Sequence, residues 1–172
     1  MLLGSGCFWG REYHLRQLPG VIATQVGFAG GRTENPSYHD VCAKDTGHAE
    51  VVAVQYDTRT LPTEQLLAEF FALHNFEIDR GKGSGQYRSA VFSVQDDRQL
   101  QLARRMLATL RAHGFHPATD VGCVPAFYRA EARHQQYCSS RGLTPHRRDD
   151  DRIRQLFSRA ESTEDSGNQS VS

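Results

Sequence analysis

The sequence predicts an α+β fold with a mainly antiparallel sheet, formed within one domain. Strand and helix patterns alternate along the chain, but without the regular spacing of a doubly wound parallel fold. The chain has 172 residues, of which 38% are hydrophobic and 23% charged, which is enough apolar material for one core. These two observations favour a single α+β domain.

The composition also excludes several classes of partner. The sequence has 20 basic and 20 acidic residues, so its formal net charge of zero gives no reason to expect capture of nucleic acid or of an anionic membrane. No apolar run approaches the roughly 18 residues of a membrane span, and the opening "MLLGSG" is too short for a signal peptide. We therefore expect a cytoplasmic protein. We also expect it to be a monomer.

The first half of the chain predicts two helices and two strands. Apolar spacing in "CFWGREYHLRQL" predicts a helix that Pro19 and Gly20 end, and "PTEQLLAEFFALHN" has the stripe of an amphipathic helix that begins at a proline. The β-branched segments "VIATQVGFAGG" and "HAEVVAVQYD" predict strands over 21–31 and 48–57. Between them, residues 32–47 form a long loop with room for a short helix.

The second half continues the alternation and then becomes polar. We predict a strand over 86–94 after the glycine-rich loop "DRGKGSG", a helix over 95–114, a short strand over 118–124 and a helix over 129–139. We expect residues 1–140 to form the catalytic domain and 141–172 a polar extension. Its end, from about residue 158, has the composition of a disordered tail.

The segment "GSGCFWG" places Cys7 at a predicted helix N-terminus, beside Phe8 and the only tryptophan, Trp9. Unsatisfied N–H groups there favour a thiolate, so we expect a lowered pKa for Cys7 and a reactive sulfur. The simpler alternative is that Cys7 packs as a small buried hydrophobe and the two aromatics belong to the core. None of the four cysteines has the spacing of a zinc site or a CxxC pair.

Five segments in one order resemble the peptide methionine sulfoxide reductases of the A type, over roughly residues 3–138. They are "GCFWG", "VGFAGG", "NPSYHDVCAKDTGHAEVV", "QYRSAVF" and "FYRAEARHQQY". The resemblance implies a ferredoxin-like, two-layer α+β sandwich around a mixed, mainly antiparallel sheet. It also implies reduction of the S epimer of methionine sulfoxide, free or in peptides, with no bound cofactor or metal. Oxidised proteins and thioredoxin are then the expected partners, with thioredoxin or a small thiol as external reductant.

The resemblance assigns Cys7 as the nucleophile and Phe8 and Trp9 as the pocket for the methyl group. A sulfoxide has a polar oxygen beside a methyl group, so such a site needs a nucleophile for sulfur, an apolar slot and donors for oxygen. Attack by Cys7 would leave a sulfenic acid on its sulfur as methionine departs.

Tyr38, Glu50 and Tyr87 match the positions that donate to the sulfoxide oxygen in the family. Glu50 would need a raised pKa to supply a proton, and burial among apolar strand residues is the ordinary cause of such a shift. Taken singly, the tyrosines would be ordinary core-edge residues and Glu50 an exposed strand residue.

One position departs from the family pattern. Lys82 stands where the family usually has an aspartate, five residues before Tyr87. Asp79 or Glu77 could replace that carboxylate in orienting the tyrosine, or Lys82 could stabilise the thiolate. The sequence leaves these alternatives open.

Cys138 and Cys123 are the candidates for the resolving cysteine that condenses with the sulfenic acid. Cys138 is the first choice because it follows "HQQY", where the C-terminal segment begins, and because a disulfide needs Cα atoms within about 7 Å. Cys42 matches a family cysteine with no catalytic part, and we expect it to be buried.

Two rival functions remain at this stage. A module that binds oxidised methionine without turnover would explain the change at Lys82. An acyl-transfer enzyme could pair Cys7 with His48, and His134 could be a metal ligand, but neither histidine has a third group with suitable spacing.

Overall fold

The computed structural model describes residues 1–164 and confirms the α+β class. A six-stranded sheet has the strands β1 (Leu2–Ser5), β2 (Val21–Ala29), β3 (Ala49–Tyr56), β4 (Ser89–Ser93), β5 (Asp120–Cys123) and β6 (Phe127–Arg129). Their spatial order is β5-β4-β1-β3-β2-β6. Only the pairing of β4 with β5 is parallel, so the sheet is mixed and mainly antiparallel, as predicted.

Six helices accompany the sheet in the described part of the chain. They are α1 (Phe8–Leu15), α2 (Tyr38–Ala43), α3 (Thr63–Ala72), α4 (Asp97–Ala112), α5 (Tyr137–Ser140) and α6 (Asp151–Glu164), with a 3-10 turn over Ala132–His134. The predicted helices at α1, α3 and α4 and the strands at β2, β3, β4 and β5 are confirmed, and α2 is the short helix for which the long loop had room. Within residues 1–164, no helix combines the length and apolar character needed to cross a membrane.

Strands β1 and β6 were not predicted from the sequence. β1 has only four residues and all of them are buried, so it lacks the alternation that marks a half-exposed strand. It nevertheless pairs with both β3 and β4 in the middle of the sheet. β6 has three residues, and its pairing with β2 is decided by tertiary contacts rather than by its own sequence.

The prediction of one helix over 129–139 is wrong. That stretch contains the end of β6, the 3-10 turn and the start of α5. The side chain of Gln135 accepts the N–H of Val26 and donates to its carbonyl oxygen, both at 2.9 Å, so it binds the edge of β2 in place of another strand. These tertiary hydrogen bonds outweigh the local preference for a helix.

Helix α6 differs from the predicted polar extension. Ile153 and Phe157 are buried in the hydrophobic core, and Arg154 pairs with Glu69 of α3. The helix continues to Glu164, where disorder from about residue 158 was predicted, and residues 165–172 lie outside the described residues. The apolar positions of this helix are too widely spaced to raise its average hydropathy, although they fall on one face. The domain boundary at residue 140 stays a prediction.

The sheet positions Cys7 between a strand and a helix. β1 ends at Ser5 and α1 begins at Phe8, so Cys7 is the N-cap of α1. Gly6 makes the tight connection possible because its φ of 99° lies in the left-handed region that favours glycine. Phe8, directly after Cys7, is buried in the main core and anchors the start of the helix.

Candidate active site

The sulfur of Cys7 lies at the start of α1, where the N–H groups of Trp9 and Gly10 are directed at it. Burial of the sulfur raises the pKa of Cys7, the N–H of Trp9 lowers it, and the nearby charge of Glu50 raises it, with a net upward shift. The residue as a whole is exposed, but its sulfur loses water in the pocket described below. The expectation of a lowered pKa is therefore wrong: loss of hydration outweighs the helix N-terminus.

Glu50 on β3 is buried, with only 1% of its surface exposed. Its Oε2 accepts the N–H of Phe8 at 3.0 Å, and its Oε1 accepts a proton of the Gln86 amide at 2.9 Å. Burial raises the pKa of Glu50, and these two hydrogen bonds oppose the shift without reversing it. The carboxyl group is thus fixed beside Cys7 and has the raised pKa that the sequence led us to expect.

Tyr38 and Tyr87 approach the same carboxyl group from different elements. Tyr38 is the first residue of α2, and a capping box between Ser37 and Asp40 fixes the start of that helix. Burial raises the pKa of the Tyr38 hydroxyl, and its contacts with Cys42 and the charge of Glu50 add to the rise. Tyr87 is 41% exposed, and burial followed by the charge of Glu50 raises its pKa as well.

Gln86 is a member of this site that the sequence reasoning missed. Its side-chain amide donates to Glu50 and also to the sulfur of Cys42 at 3.2 Å. The expectation that Cys42 is buried is wrong, because its side chain is exposed at the edge of the oxygen-donor group. The motif "QYRS" could have indicated Gln86 as a site residue, because this glutamine directly precedes the assigned tyrosine, Tyr87.

The loop that contains Lys82 is held by its own carboxylates. Asp79 accepts the N–H groups of Gly81 and Lys82, and Glu77 accepts the N–H of His116. Neither acid therefore replaces the family aspartate in orienting Tyr87, whose hydroxyl has no hydrogen-bond partner within residues 1–164. The side chain of Lys82 is exposed and is not among the groups that shift the pKa of Cys7.

Phe8 and Trp9 belong to a group of stacked aromatic rings. Phe8 is buried, whereas Trp9 is partly exposed. Tyr38 stacks on both, with ring centroids 6.3 Å from Phe8 and 6.2 Å from Trp9. Tyr137 lies nearly parallel to Trp9 at 3.8 Å, and the guanidinium of Arg141 covers its other face at 3.7 Å.

A pocket of about 620 Å³ opens beside Cys7 and also contains Cys138. Its walls come from the start of α1, from Arg80, from the beginning of α5 and from the segment after α5, and the lining residues are Gly6, Cys7, Trp9, Gly10, Arg11, Arg80, Tyr137, Cys138, Leu143, Thr144, Pro145 and His146. The residues assigned to the sulfoxide oxygen, Tyr38, Glu50 and Tyr87, are not part of this lining. Cys7 therefore has two separate groups of neighbours: the pocket residues, which include Cys138, and the residues assigned to the sulfoxide oxygen.

The turn before Cys138, which lines the pocket, is held by a buried carboxylate. Glu12 accepts the N–H of Gln136 at 2.8 Å and the hydroxyl of Thr24 at 2.9 Å. Gln136 has a left-handed backbone with a φ of 51°, and this turn directs Tyr137 and Cys138 back toward α1. Burial raises the pKa of Cys138, and the charge of Glu12 raises it further.

Cys123 lies too far from Cys7 to pair with it. The register places Cys123 level with Ser93, at the opposite end of β4 from Ser89, which pairs with Ser5 just before Cys7. The two cysteines are therefore separated by two strand spacings across the sheet, about 10 Å, and by at least four residues along the strands, about 13 Å. A disulfide spans Cα atoms at most about 7 Å apart, so the second resolving candidate is wrong.

A family model described as peptide methionine sulfoxide reductase matches residues 1–165. The chain belongs to the peptide methionine sulfoxide reductase family. The mitochondrial peptide methionine sulfoxide reductase of Rattus norvegicus is 44% identical over 145 residues, which cover 80% of this chain and 62% of the relative. The MsrA enzyme of Vibrio parahaemolyticus is 42% identical over 147 residues, which cover 80% of this chain and 68% of that protein. The chain thus spans less than two thirds of the rat relative.

Solved structures of related proteins have a similar fold. Mxr1 from Saccharomyces cerevisiae in its reduced form superposes with a TM-score of 0.74 at 30% identity, covering 86% of this chain and 91% of Mxr1. A structure of Mxr1 in complex with Trx2 superposes with a TM-score of 0.54 at 26% identity, covering 79% of this chain and 81% of that one.

His134 belongs to the aromatic group around Trp9, a place that the sequence did not indicate. Its Nδ1 accepts the indole N–H of Trp9 at 3.2 Å, and its ring lies 4.3 Å from that of Tyr38. Its Nε2 is buried without a hydrogen-bond partner in the described part of the chain. His134 therefore orients Trp9, and within residues 1–164 no group of three or more histidine, cysteine or acidic side chains is arranged to hold a metal ion. His48 instead binds the N–H of Gly31 and the carbonyl of Thr33, and it is not among the groups that shift the pKa of Cys7.

Together these residues provide three kinds of chemical group at one site: a thiol, a proton-holding carboxyl group and an apolar surface. Cys7 is an exposed thiol that can act as a nucleophile once it loses its proton. Glu50 is a buried carboxyl group with a raised pKa, so it keeps its proton to higher pH than an exposed glutamate does, because burial disfavours its charged form. Trp9 supplies partly exposed apolar surface next to them, whereas Phe8 is buried in the core.

Proposed function

We propose that this chain reduces the S epimer of methionine sulfoxide, free or in peptides, to methionine. The observation that carries the proposal is the contact between Glu50 and the residue next to Cys7: the Glu50 carboxyl accepts the N–H of Phe8 at 3.0 Å. A proton donor is thereby fixed beside the only exposed thiol at a helix start in residues 1–164. Membership of the reductase family supports the same reaction.

In the first step, the sulfur of Cys7 attacks the sulfur of the sulfoxide. The oxygen passes to Cys7, a proton from Glu50 assists its transfer, and methionine leaves while Cys7 becomes a sulfenic acid. Tyr38 and Tyr87 donate hydrogen bonds to the oxygen, which their raised pKa values permit because both hydroxyls keep their protons at neutral pH. Phe8 and Trp9 receive the methyl group.

In the second step, Cys138 restores Cys7. The Cys138 thiol attacks the sulfenic sulfur, a Cys7–Cys138 disulfide forms, and water leaves. Both residues border one pocket, which supports this pairing. Thioredoxin then reduces the disulfide by thiolate exchange, an assignment supported by the structure of the related Mxr1 with Trx2. No bound cofactor or metal takes part, and oxidised proteins are the substrates, so the role is repair under oxidative stress.

The cellular setting and the finer fold description belong to the same proposal. We propose that the protein acts as a cytoplasmic monomer that binds neither nucleic acid nor membranes, although the rat relative is named mitochondrial. The antiparallel order β4-β1-β3-β2, with α1 after β1 and α3 after β3, supports a ferredoxin-like two-layer arrangement. Residues 1–140 carry all the side chains assigned to catalysis, which supports them as the catalytic domain.

An epimer-resolved assay tests the proposal. The protein is incubated with dithiothreitol and a peptide that contains both sulfoxide epimers, and each epimer is quantified by chromatography. We expect loss of the S epimer alone, and no loss with the Cys7→Ser variant, because a serine hydroxyl is too weakly acidic to supply the attacking anion. Equal loss of both epimers, turnover by Cys7→Ser, or binding of the peptide without turnover would each overturn it.

A further inference from the structure

Two arginines that pair with no acidic side chain of residues 1–164 line the pocket beside Cys7. Arg11 follows Cys7 by one helical turn on α1 and lines the pocket together with Arg80. The guanidinium of Arg11 is partly buried, where its Nε donates to the carbonyl of Ser5 at 2.8 Å and its Nη1 donates to that of Leu73. The Nη2 of Arg11 makes no hydrogen bond with residues 1–164, so it can donate to a bound ligand.

Arg80 reaches the pocket from the loop between α3 and β4. Its Nη1 lies 3.2 Å from the point where a Cβ on Gly6 would stand, so the guanidinium covers the residue directly before Cys7. Arg80 itself is exposed to solvent. Within residues 1–164 neither Arg80 nor Arg11 makes an ion pair, whereas the buried Arg88 is neutralised by Asp120 at 2.9 Å.

The two guanidinium groups repel each other. Burial lowers the pKa of Arg11 first, and the charges of Arg80 and Arg148 lower it further. The same three arginines also contribute to the lowered pKa of the buried His74. An anion placed between Arg11 and Arg80 would remove this repulsion and would gain charge-assisted hydrogen bonds.

We propose that Arg11 and Arg80 bind a carboxylate of the substrate, so that the site selects methionine sulfoxide with a carboxylate close to its side chain. The carboxylate has two sources: the α-carboxylate of free methionine sulfoxide or of a C-terminal residue, and an aspartate or glutamate beside the oxidised methionine in a peptide. This inference rests on the proposed function and specifies the substrate class of the same site.

The length of the substrate fits this arrangement. Four bonds separate the sulfur of methionine sulfoxide from its α-carboxylate carbon, a reach of about 5 Å when extended. The guanidinium of Arg11 folds back toward the start of α1, where it donates to the carbonyl of Ser5, and that of Arg80 covers Gly6, so both charged groups lie beside residues directly before Cys7. A substrate whose sulfur meets Cys7 can therefore direct its carboxylate toward the arginine pair without leaving the pocket.

A comparison of two matched substrates tests the site. One is N-acetyl-methionine sulfoxide, which has a free carboxylate, and the other is its neutral methylamide. Both are reduced with dithiothreitol, an uncharged reductant, so that charge on the reductant has no influence. We expect the wild-type protein to have a KM about 3- to 10-fold lower for the acid than for the amide, the range of one partly exposed charge contact.

Arg80→Gln is the decisive variant because the Arg80 side chain is exposed and makes no hydrogen bond within the described part of the chain. We expect the ratio of the two KM values to approach one in Arg80→Gln, while Arg80→Lys keeps part of the preference. The kcat for the acid should change little, since the contact binds ground state and transition state alike. Arg98→Gln, an exposed arginine on α4 outside the pocket lining, is the matched control and should keep the wild-type ratio.

The outcomes separate this inference from the proposed function. If the wild type shows no lower KM for the acid than for the amide and none for the aspartate peptide than for the asparagine peptide, or if Arg80→Gln keeps the wild-type ratios, the carboxylate site is wrong while the reductase activity stands. If Arg80→Gln instead raises only the KM for glutathione used as reductant, the arginines serve the reductant and the inference is again wrong. If the wild type reduces neither substrate, the proposed function itself fails.

A second pair of substrates identifies the source of the carboxylate. The KM for free methionine sulfoxide tests recognition of the α-carboxylate. An end-blocked peptide with aspartate next to methionine sulfoxide, compared with the same peptide carrying asparagine, tests recognition of a side-chain carboxylate. A preference lost in Arg80→Gln for either pair supports the site and names its ligand. The preference should also weaken as sodium chloride is raised, because salt screens contacts between exposed charges.

Discussion

Gln86 holds Glu50 through both its main chain and its side chain. The main-chain N–H of Glu50 donates to the carbonyl oxygen of Gln86 at 2.9 Å, and the Gln86 amide donates to Oε1 of Glu50 at the same distance. The amide donor favours the charged carboxylate and so restrains the rise in pKa that burial causes. Gln86 therefore helps to set the pH range in which Glu50 carries a proton.

Replacement of Gln86 by methionine keeps the size of the side chain but removes the donor to Glu50. The pKa of Glu50 should rise further, because a hydrogen bond to its charged form is lost. If protonated Glu50 is the active form, the fall of kcat/KM at high pH should move to higher pH. A pH profile measures this, with Gln101→Met on α4 as the control; an unmoved fall would show that Gln86 does not tune the proton donor.

Glu50→Gln should preserve the hydrogen-bonding shape of the site and remove its proton. We expect kcat to decrease by about 10²- to 10⁴-fold, the usual contribution of general acid–base assistance. In the wild type, activity should fall as the pH rises through the raised pKa of Glu50, and this dependence should disappear in the variant. Steady-state assays across pH check both points. A wild-type rate and profile in Glu50→Gln would assign the proton to a tyrosine or to water.

The raised pKa of Cys7 predicts slow alkylation at neutral pH. Because the folded pKa lies above that of an ordinary cysteine, Cys7 is mainly a protonated thiol at pH 7 and becomes the reactive thiolate only as the pH rises. Iodoacetamide labelling of a Cys42→Ser, Cys123→Ser variant, followed by mass spectrometry, should give a midpoint above about 8.5, the value of a free cysteine. A midpoint below that value would mean that the helix N-terminus dominates after all.

Cys138→Ser should separate the two half-reactions. A single turnover should still release about one methionine per protein, because the chemistry at Cys7 is untouched. Multiple turnover with thioredoxin should collapse, since no Cys7–Cys138 disulfide forms, and dithiothreitol should partly restore it. Cys123→Ser is the matched control and should turn over normally. Normal turnover with thioredoxin in Cys138→Ser would show that an external thiol reduces Cys7 directly.

Ile153→Ala tests whether α6 is part of the folded domain. Ile153 is fully buried in the main core, so its truncation should lower the free energy of unfolding by about 2–5 kcal/mol. Gln155→Ala changes an exposed residue of the same helix and should cost less than about 0.5 kcal/mol. Urea unfolding of both variants measures the difference. Equal stability of the two would mean that α6 contributes nothing to the core.

The sequence was sufficient for the parts of the fold that have strong periodic patterns. The amphipathic stripe of α3, the caps of α4 and the β-branched runs of β2 and β3 are local signals, and the structure confirms the elements they predict. β1, β6 and the turn around Gln135 depend on contacts with residues distant in the chain, so no local pattern announces them. The same holds for α6, whose two buried side chains were hidden in a polar segment.

The sequence motifs could predict which residues form the site, but not their pKa values or the distances between them. Motifs named Cys7, Glu50 and the tyrosines, and the structure brings these side chains together. The pKa of Cys7 was misjudged because a helix N-terminus can be read from sequence, whereas the loss of water around one sulfur cannot. Spacing also could not exclude Cys123, because its separation from Cys7 follows from the register of β4 with β5.

The separation of the two groups around Cys7 has a consequence for the order of events in a catalytic cycle. Substitution at a sulfur atom proceeds with the incoming thiol and the departing oxygen at different sides of that atom. Cys138 borders the pocket, whereas the groups assigned to the oxygen do not. In the proposed cycle, water formed from the sulfenic oxygen leaves among Glu50 and the tyrosines while Cys138 approaches from the pocket, so the departing oxygen and the incoming thiol do not compete for the same space.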